Sequence, residues 1–253
     1  MGHKLSLLTI CLNSEDTILD TIESVLSQSF KNIEYIVYDG GSSDSTLSII
    51  RKFGNKLKLV EGRDTGIYAA FNSGLKYTTG DIVGILNSDD FLANKDVLRR
   101  VIECFESNNV DTVYSNLEYV NRKDVKRVQR IWKSGKLSKS KFRLGWSLPH
   151  PTLYVKRDIY ESLGWYDERF MLAGDYELML RLFYVNKVSS YYLQETTVKM
   201  RTGGAAGKGL ASRIVGLMEI RKAWLINGYR PWLLTIMMKP LRKLHQWVLP
   251  KLM

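Results

Sequence analysis

Short apolar runs alternate with amphipathic stretches over the first 120 residues of the chain. Residues 5–13 (LSLLTICLN) form a continuous apolar run, the pattern of a parallel strand buried on both faces. Ser14 follows as a candidate N-cap, and Ile18, Ile22 and Val25 lie at helical spacing behind it. This order of strand and helix repeats until a fifth strand, VDTVYSNLEYV. The pattern predicts an α/β fold in which a Rossmann-like, mostly parallel sheet is flanked by helices.

The alternation weakens after residue 120. Residues 121–150 are basic and polar and carry turn signals, after which HPTLYVKRDIYESLGWYDERF predicts a strand and a helix. GDYELMLRLFYVN then predicts a helix. A glycine-rich stretch, GGAAGKG, suggests a hinge, and we expect one domain over residues 1–202 and a separate C-terminal region over residues 203–253.

The C-terminal region combines apolar side chains with interspersed cations. Pro231, Pro240 and Pro250 divide it into short amphipathic helices, a composition typical of helices lying in a membrane interface. Packing against its own domain, or in a dimer interface, is the alternative. No run of about 18 apolar residues occurs anywhere in the sequence. The apolar N-terminal segment is interpreted as the first strand rather than as a signal peptide.

The formal net charge of +11 fits nucleic acid, anionic lipid or an anionic substrate as partner. Only two cysteines are present, Cys11 and Cys104, and they are far apart in the chain. A thiolate metal site is therefore not expected, and the low count suits a reducing compartment. We expect a cytoplasmic protein that lies peripherally on the inner face of the cell membrane.

Polar side chains end several of the predicted strands. Asn13, Asp39, Asp64 and the pair Asp89-Asp90 occupy such positions. In parallel sheets ligands bind at the carboxyl ends of the strands, so these residues are expected to meet at one edge. The adjacent carboxylates could hold Mg²⁺ or Mn²⁺ together with a phosphate. Taken singly, each residue also fits a solvated or hydrogen-bonded turn.

Two later residues are further candidates. His150 lies between Pro149 and Pro151 and could ligate a metal or bind phosphate, although a single histidine is more often structural. Asp175 begins the helix GDYELMLRL. It could cap that helix, act as a general base in a cleft, or do both.

Five stretches in order, LTICLN, VYDGGSSDST, GRDTGIYAAFNSGLKYTTGDIVGILNSDD, PHPTLYVKRDIYESLGWYDERF and AGDYELMLRL, resemble glycosyltransferase family 2. The resemblance extends from about residue 4 to 201 and implies the GT-A fold. It is strongest to bacterial enzymes of surface polysaccharide synthesis, such as those that build colanic acid and O-antigen.

The resemblance implies roles for individual residues. Asp175 would be the catalytic base, Asp90 would bind Mn²⁺ or Mg²⁺, with His150 as a further metal candidate, and Asp89 would contact the sugar or ribose. The family's D-x-D element reads Asn-Ser-Asp-Asp here, and Gly174 stands where the family often has Glu. The remaining donor-binding residues would be Thr9, Asn13, Asp39, Asp64 and Asn72.

The implied activity is inverting transfer of a sugar from a nucleotide diphosphate donor, UDP-linked in the expected case, to a hydroxyl of a lipid-linked glycan. A metal-dependent sugar nucleotidyltransferase is an alternative, although its usual basic, glycine-rich loop is replaced by CLNSEDT. A basic, non-enzymatic protein that binds nucleic acid or membrane is another. No RNA-recognition motif appears, so nucleic acid is not an expected partner. The donor sugar, the acceptor and the oligomeric state stay open.

Overall fold

The computed structural model describes residues 2–203 and 209–241. The expectations for a hinge within residues 204–208 and for the basic, apolar segment from residue 242 to the end lie outside the described residues.

One mixed sheet forms the centre of the described structure, with strand order β3-β2-β1-β4-β8-β6-β9-β5 and β7 paired to β6. Parallel pairing joins β1 to β2, β1 to β4, β2 to β3 and β6 to β9. Strands β5, β7 and β8 run antiparallel to their neighbours. The strands are β1 (Leu5–Cys11), β2 (Ile33–Asp39), β3 (Lys58–Glu61), β4 (Ile82–Ile85), β5 (Asp90–Leu92), β6 (Thr112–Val120), β7 (Val128–Trp132), β8 (Tyr154–Lys156) and β9 (Ser190–Arg201).

Helices cover both faces of this sheet. A π-helical segment, Leu180–Val185, continues α7, and single 3-10 turns lie at Gly54–Lys56 and His150–Thr152. The described α-helices are α1 (Ile18–Leu26), α2 (Thr46–Arg51), α3 (Ile67–Leu75), α4 (Val97–Asn108), α5 (Lys139–Arg143), α6 (Arg157–Leu163), α7 (Gly174–Met179), α8 (Leu210–Ile226) and α9 (Leu233–Leu241). The predicted α/β fold with a mostly parallel sheet is confirmed.

The structure differs from the predicted elements at several points. The predicted fourth strand is split: β4 ends at Ile85 and β5 begins at Asp90, so the acidic pair occupies the turn between them. Strands β7 and β9 were not predicted, although β9 is 12 residues long. Its centre, Gln194-Glu195-Thr196-Thr197, is polar, and only its pairing with β5 and β6 makes it a strand.

Two apolar clusters lie on opposite faces of the sheet. One contains Ile18, Ile22 and Val25 of α1 together with side chains of α4. The other contains side chains of α3, α6, α7 and α8. Helix α8 contributes Trp224, which is fully buried and donates from Nε1 to Tyr176 Oη at 2.9 Å. The predicted domain boundary at residue 202 stays a prediction, but α8 beyond it packs directly on α7.

Not all of the C-terminal apolar surface is buried. Met218 of α8 and Trp232, Leu234 and Met237 around α9 are each about half exposed or more. Within the described part of the chain, no helix is both long and apolar enough to cross a membrane.

Glu34 ties together the amino-terminal ends of β1 and β2 and the turn before β4. Its carboxylate accepts hydrogen bonds from Ser6 Oγ (2.5 Å), from Thr79 N and Oγ1 (both 2.7 Å) and from Lys4 Nζ (2.9 Å). Burial alone would raise the pKa of Glu34, but these hydrogen bonds outweigh burial and lower the pKa to about 2.

A pH titration of stability tests this arrangement. Because the folded-state pKa lies below the unfolded value of about 4.3, the ionised Glu34 stabilises the fold above pH 4.3. That contribution should be lost as the pH falls through about 2. We expect Glu34→Gln to show a smaller loss of stability than the wild type between these values in urea denaturation. Glu61→Gln, which removes an exposed ion pair with Arg51, is the control and should keep the wild-type slope.

Candidate active site

A large cavity opens at the carboxyl ends of β1 and β4. It encloses about 1940 Å³ and is bounded on its other sides by β6, β7, α7 and α8. Five of the predicted site residues line it: Asn13, Asp64, Asp89, His150 and Asp175. The strand-end residues therefore do meet helix α7 around one space. Thr9, Asp39, Asn72 and Asp90 do not line the cavity.

Asp39 organises the turn that follows β2. Its Oδ1 accepts from the backbone N of Gly41 (3.0 Å) and Ser42 (2.8 Å), and its Oδ2 accepts from Ser42 Oγ (2.6 Å) and Cys11 Sγ (3.3 Å). The carboxylate is fully buried and its acceptor sites are engaged within the protein. Asp39 thus shapes the cavity wall through its neighbour Gly40, which lines the cavity.

Asn13 extends the same wall. It adopts a left-handed backbone conformation (φ 49°), and its Oδ1 accepts from the backbone N of Ser43 at 2.8 Å. Asparagine tolerates this conformation better than most residues. Thr9 lies deeper in β1, fully buried, with Oγ1 3.2 Å from Tyr35 Oη. The role of Thr9 in donor binding stays a prediction.

Asp64 enters the cavity from the loop after β3. Its carboxylate accepts from Tyr38 Oη and, at 3.0 Å, from Ser73 Oγ. Burial and the hydrogen bond to Asp64 raise the pKa of Tyr38 to about 12. Gly62 makes this contact possible, because a Cβ there would lie only 1.8 Å from Tyr38 Oη. Asp64 is therefore held in a fixed orientation.

Asp89 and Asp90 are placed differently although they are adjacent in sequence. Asp89 lines the cavity, whereas Asp90 is fully buried beneath it. Asp90 Oδ2 accepts from Asn87 Nδ2 at 2.9 Å, and Oδ1 has no hydrogen-bond partner among the described residues. Burial, reinforced by the charge of Asp89, raises the pKa of Asp90 well above its ordinary value, and burial also raises the pKa of Asp89.

This placement bears on the expected metal. The described residues contain no group of three His, Cys, Asp or Glu side chains arranged to hold an ion. A magnesium site needs less, since one or two carboxylates suffice when phosphate oxygens and water complete the coordination. Asp89 and Asn87 both line the cavity and could supply oxygen ligands for such a site. Asp90 lies beneath the cavity wall with its Oδ1 unpartnered among the described residues, and its role as a metal ligand stays a prediction.

Asn72 and His150 both contact Tyr166. Asn72 bonds the backbone of Tyr166 in both directions, with Nδ2 donating to O at 2.9 Å and Oδ1 accepting from N at 3.0 Å. It joins α3 to the loop after α6 and is not part of the cavity wall. His150 Nε2 is 2.5 Å from Tyr166 Oη. Burial lowers the pKa of His150, although the negative charge of Asp175 acts to raise it. His150 therefore lies on the Asp175 side of the cavity.

Asp175 occupies the first turn of α7. Its Oδ1 accepts from the backbone N of Tyr176 at 2.7 Å and lies 3.5 Å from Tyr68 Oη. Tyr68 also explains why residue 174 is glycine, because a Cβ at that position would lie 2.8 Å from the Tyr68 ring. The carboxylate remains partly exposed to the cavity, where it could accept a proton from a bound hydroxyl.

Several cations of the site were not identified from the sequence. Arg201, at the end of β9, has a side chain only 3% exposed. It donates from Nη1 to the backbone O of Asp89 at 2.9 Å and contacts Asp20. Its positive charge acts to lower the pKa values of Asp89 and Asp90, which burial raises. The cavity has a further basic wall, formed by Arg122, Arg130, Lys133, Lys141 and Arg213. The basic composition of residues 121–150 was the sequence feature that could have identified the four members of this wall that precede residue 150.

Comparison with known families agrees with this geometry. The model of "Glycosyl transferase family 2" matches residues 6–161. The chain therefore belongs to glycosyl transferase family 2. The predicted resemblance is confirmed.

Curated relatives support the same assignment. The chain is 30% identical over 200 residues to an uncharacterised glycosyltransferase, RP339, of Rickettsia prowazekii, covering 76% of this chain and 62% of the relative. It is 30% identical over 191 residues to an Escherichia coli protein named UDP-Glc:alpha-D-GlcNAc-diphosphoundecaprenol beta-1,3-glucosyltransferase WfgD, covering 74% of this chain and 73% of that protein.

Solved structures confirm the GT-A fold. Staphylococcus aureus TarS residues 1–349 with UDP-GlcNAc gives a TM-score of 0.70 at 21% identity, over 88% of this chain and 65% of TarS. The mannosyltransferase PcManGT of Pyrobaculum calidifontis, in complex with GDP-Man and Mn²⁺, gives a TM-score of 0.65 at 19% identity, over 99% of this chain and 73% of PcManGT.

The buried guanidinium of Arg201 is the first target for mutation at this site. Arg201→Ala should destabilise the protein by about 1–3 kcal/mol, because it removes a buried donor to the backbone of the acidic turn and a cation whose charge acts on Asp89 and Asp90. Denaturant midpoints measure the effect. Arg99→Ala, which breaks an exposed pair with Glu103 on α4, should cost only about 0.5 kcal/mol or less. Equal losses in the two variants would contradict the assigned role of Arg201.

Proposed function

We propose that this protein is an inverting glycosyltransferase that moves a sugar from a nucleotide diphosphate donor, UDP-linked in the first instance, to a hydroxyl of a lipid-linked glycan. One observation carries the proposal: Asp64, Asp89 and Asp175, from three separate parts of the chain, line one cavity at the carboxyl ends of parallel strands. The family supplies the reaction class, and the named relatives supply the donor and acceptor classes.

The donor occupies the strand-end side of the cavity in this proposal. Asn13 and Gly40 form the wall against the nucleoside, and Asp64 faces the sugar. Asp89 and Asn87 would hold Mn²⁺ or Mg²⁺, which offsets the negative charge of the diphosphate when it is bound. Arg122 also lines the cavity, and its charge acts on Asp89. In this proposal it contributes positive charge beside the diphosphate of the donor.

Asp175 acts on the acceptor. It takes the proton from the attacking hydroxyl, and the oxygen forms its bond to the anomeric carbon as the bond to the diphosphate breaks on the opposite face. A single displacement of this kind inverts the anomeric centre. Tyr68 and the backbone N of Tyr176 hold the Asp175 carboxylate in orientation before the acceptor arrives.

The size and charge of the cavity support a lipid-linked acceptor. Its volume exceeds the roughly 300–1,000 Å³ of a typical small-molecule site, which leaves room for an acceptor beside the donor. No carboxylate lies within ion-pair distance of Lys133, Lys141 or Arg213 in the part of the chain that the structure describes. A diphosphate on the acceptor, as named for the Escherichia coli relative, suits this wall.

A turnover assay with Asp175→Asn tests the proposed reaction. Loss of the base should lower the rate of sugar transfer by roughly 10²–10⁴-fold while donor affinity stays near the wild-type value, because the donor side of the cavity is unchanged. Transfer is measured by released nucleoside diphosphate in a panel of UDP-, GDP- and dTDP-sugars with Mn²⁺, and donor binding by thermal shift. Glu168→Gln, on an exposed loop outside the cavity, is the control and should remain active.

The products decide between the proposed function and its alternatives. A nucleoside diphosphate supports glycosyl transfer, whereas pyrophosphate would identify a nucleotidyltransferase. Failure of every nucleotide sugar in the panel to raise the melting temperature would contradict the proposed donor class. Full activity of Asp175→Asn would contradict the assignment of the base while leaving the reaction class standing.

We further propose that the exposed apolar residues of α8, of α9 and of the loop between them contact an anionic membrane. The full chain should float with anionic vesicles, and Trp232→Ser combined with Met237→Ser should abolish flotation, since both side chains are more than half exposed and are available for insertion. Leu19→Ser is the control: Leu19 is similarly exposed, but it lies on α1 at the opposite face of the sheet. Unchanged flotation of the double variant would refute membrane contact through this surface.

A further inference from the structure

Helix α8 reaches back to the segment that carries the candidate base. Glu219, near its middle, is only 8% exposed. Its Oε1 accepts from the backbone N of Met171 at 2.7 Å, and its Oε2 accepts from the backbone N of Leu172 and of Ala173, both at 2.8 Å. One buried carboxylate thus holds three consecutive amides.

The charge of Glu219 is balanced mainly by these amides. Among the described residues, no Lys, Arg or His side chain lies within 4.0 Å of its carboxylate. Hydrogen bonds to a charged acceptor are stronger than those between neutral groups. Removing the carboxylate would leave the buried N–H group of Ala173 unsatisfied, at a cost of about 1–3 kcal/mol, and would release the half-buried N–H groups of Met171 and Leu172. The segment Met171–Ala173 is therefore bound to α8 more firmly than its loop position suggests.

This segment leads directly into Asp175. Ala173 is the N-cap of α7, and Asp175 lies two residues further on. Gly174 between them packs against the Tyr68 ring, and the same ring brings its Oη to 3.5 Å from Asp175 Oδ1. A shift of the backbone at Ala173 would consequently move Asp175 both relative to Tyr68 and relative to the cavity.

We propose that Glu219 is a positioning residue for the catalytic base: it fixes the backbone before α7 so that Asp175 faces the acceptor hydroxyl. The inference rests on the proposed function, because it takes Asp175 as the base. Glu219 lies outside the segment matched by the family, which ends at residue 161, and 44 positions after Asp175 in the chain.

A double-mutant cycle between Glu219 and Asp175 tests this role. Glu219→Gln keeps one oxygen, which can still accept from two of the three amides, and Glu219→Ala keeps none. We expect kcat for transfer to fall about 10–100-fold in Glu219→Gln and further in Glu219→Ala, because a displacement of about 1 Å can cost 10²-fold. The KM for the donor should stay unchanged. On the Asp175→Asn background, Glu219→Gln should have almost no additional effect on kcat.

Asn227→Ala is the matched control. Asn227 is also on the α8 side of the contact with α7, and its Nδ2 donates to Glu177 Oε1 at 3.1 Å, away from the segment before Asp175. This variant should lose stability and retain kcat. Because Glu219→Gln keeps the shape of the side chain, the test does not depend on whether Glu219→Ala folds.

The possible outcomes separate the two proposals. Additive losses in the double variant, or a loss of donor binding equal to the loss of kcat, would overturn the positioning role and show that Glu219 only stabilises the fold. Wild-type kcat in Glu219→Gln and Glu219→Ala would overturn it as well. If Asp175→Asn alone retains full activity, the proposed base itself is wrong, and that result is independent of Glu219.

Discussion

The concentration of carboxylates around one cavity is the constraint on which the site depends. Each acid is accommodated in a different way. Asp39 is fully buried and bonded to the turn after β2, Asp64 is held by hydroxyl groups, and Asp90 lies beneath the surface with a raised pKa. Asp89 faces the cavity, where Arg201 fixes its backbone from below. The fold thus engages the carboxylates of Asp39 and Asp64 in hydrogen bonds and buries Asp90, while Asp89 and Asp175 remain at the cavity surface.

Much of the fold could be predicted from the sequence because its central strands are buried on both faces. The largely apolar runs of β1 and β2 are strong local signals that need no knowledge of their partners. Strand β9 lacks such a signal, since its middle is polar and its pairing to β6 is interrupted by register shifts. Its existence depends on long-range pairing, which a local pattern cannot report.

The position of the candidate site at the strand ends could also be predicted from the sequence. The rule that ligands bind at strand ends identifies Asn13, Asp64 and Asp89 correctly as neighbours. It cannot tell which of two consecutive acids turns toward the cavity, because a difference of one residue reverses the direction of a side chain. Neither can it find Glu219, whose place near Asp175 depends on how α8 packs against α7.

Two parts of the chain build the cavity, and the range that matches the family contains only one of them. Asn13, Asp64 and Asp89 lie within that range, residues 6–161. Asp175 and Arg213 lie beyond that range, on α7 and α8. This side of the cavity is thus assembled by helices that pack on each other, and α8 at once lines the cavity, buries Trp224 and fixes the segment before Asp175. Any change in the position of α8 would therefore alter this wall of the cavity and the direction of the Asp175 carboxylate together.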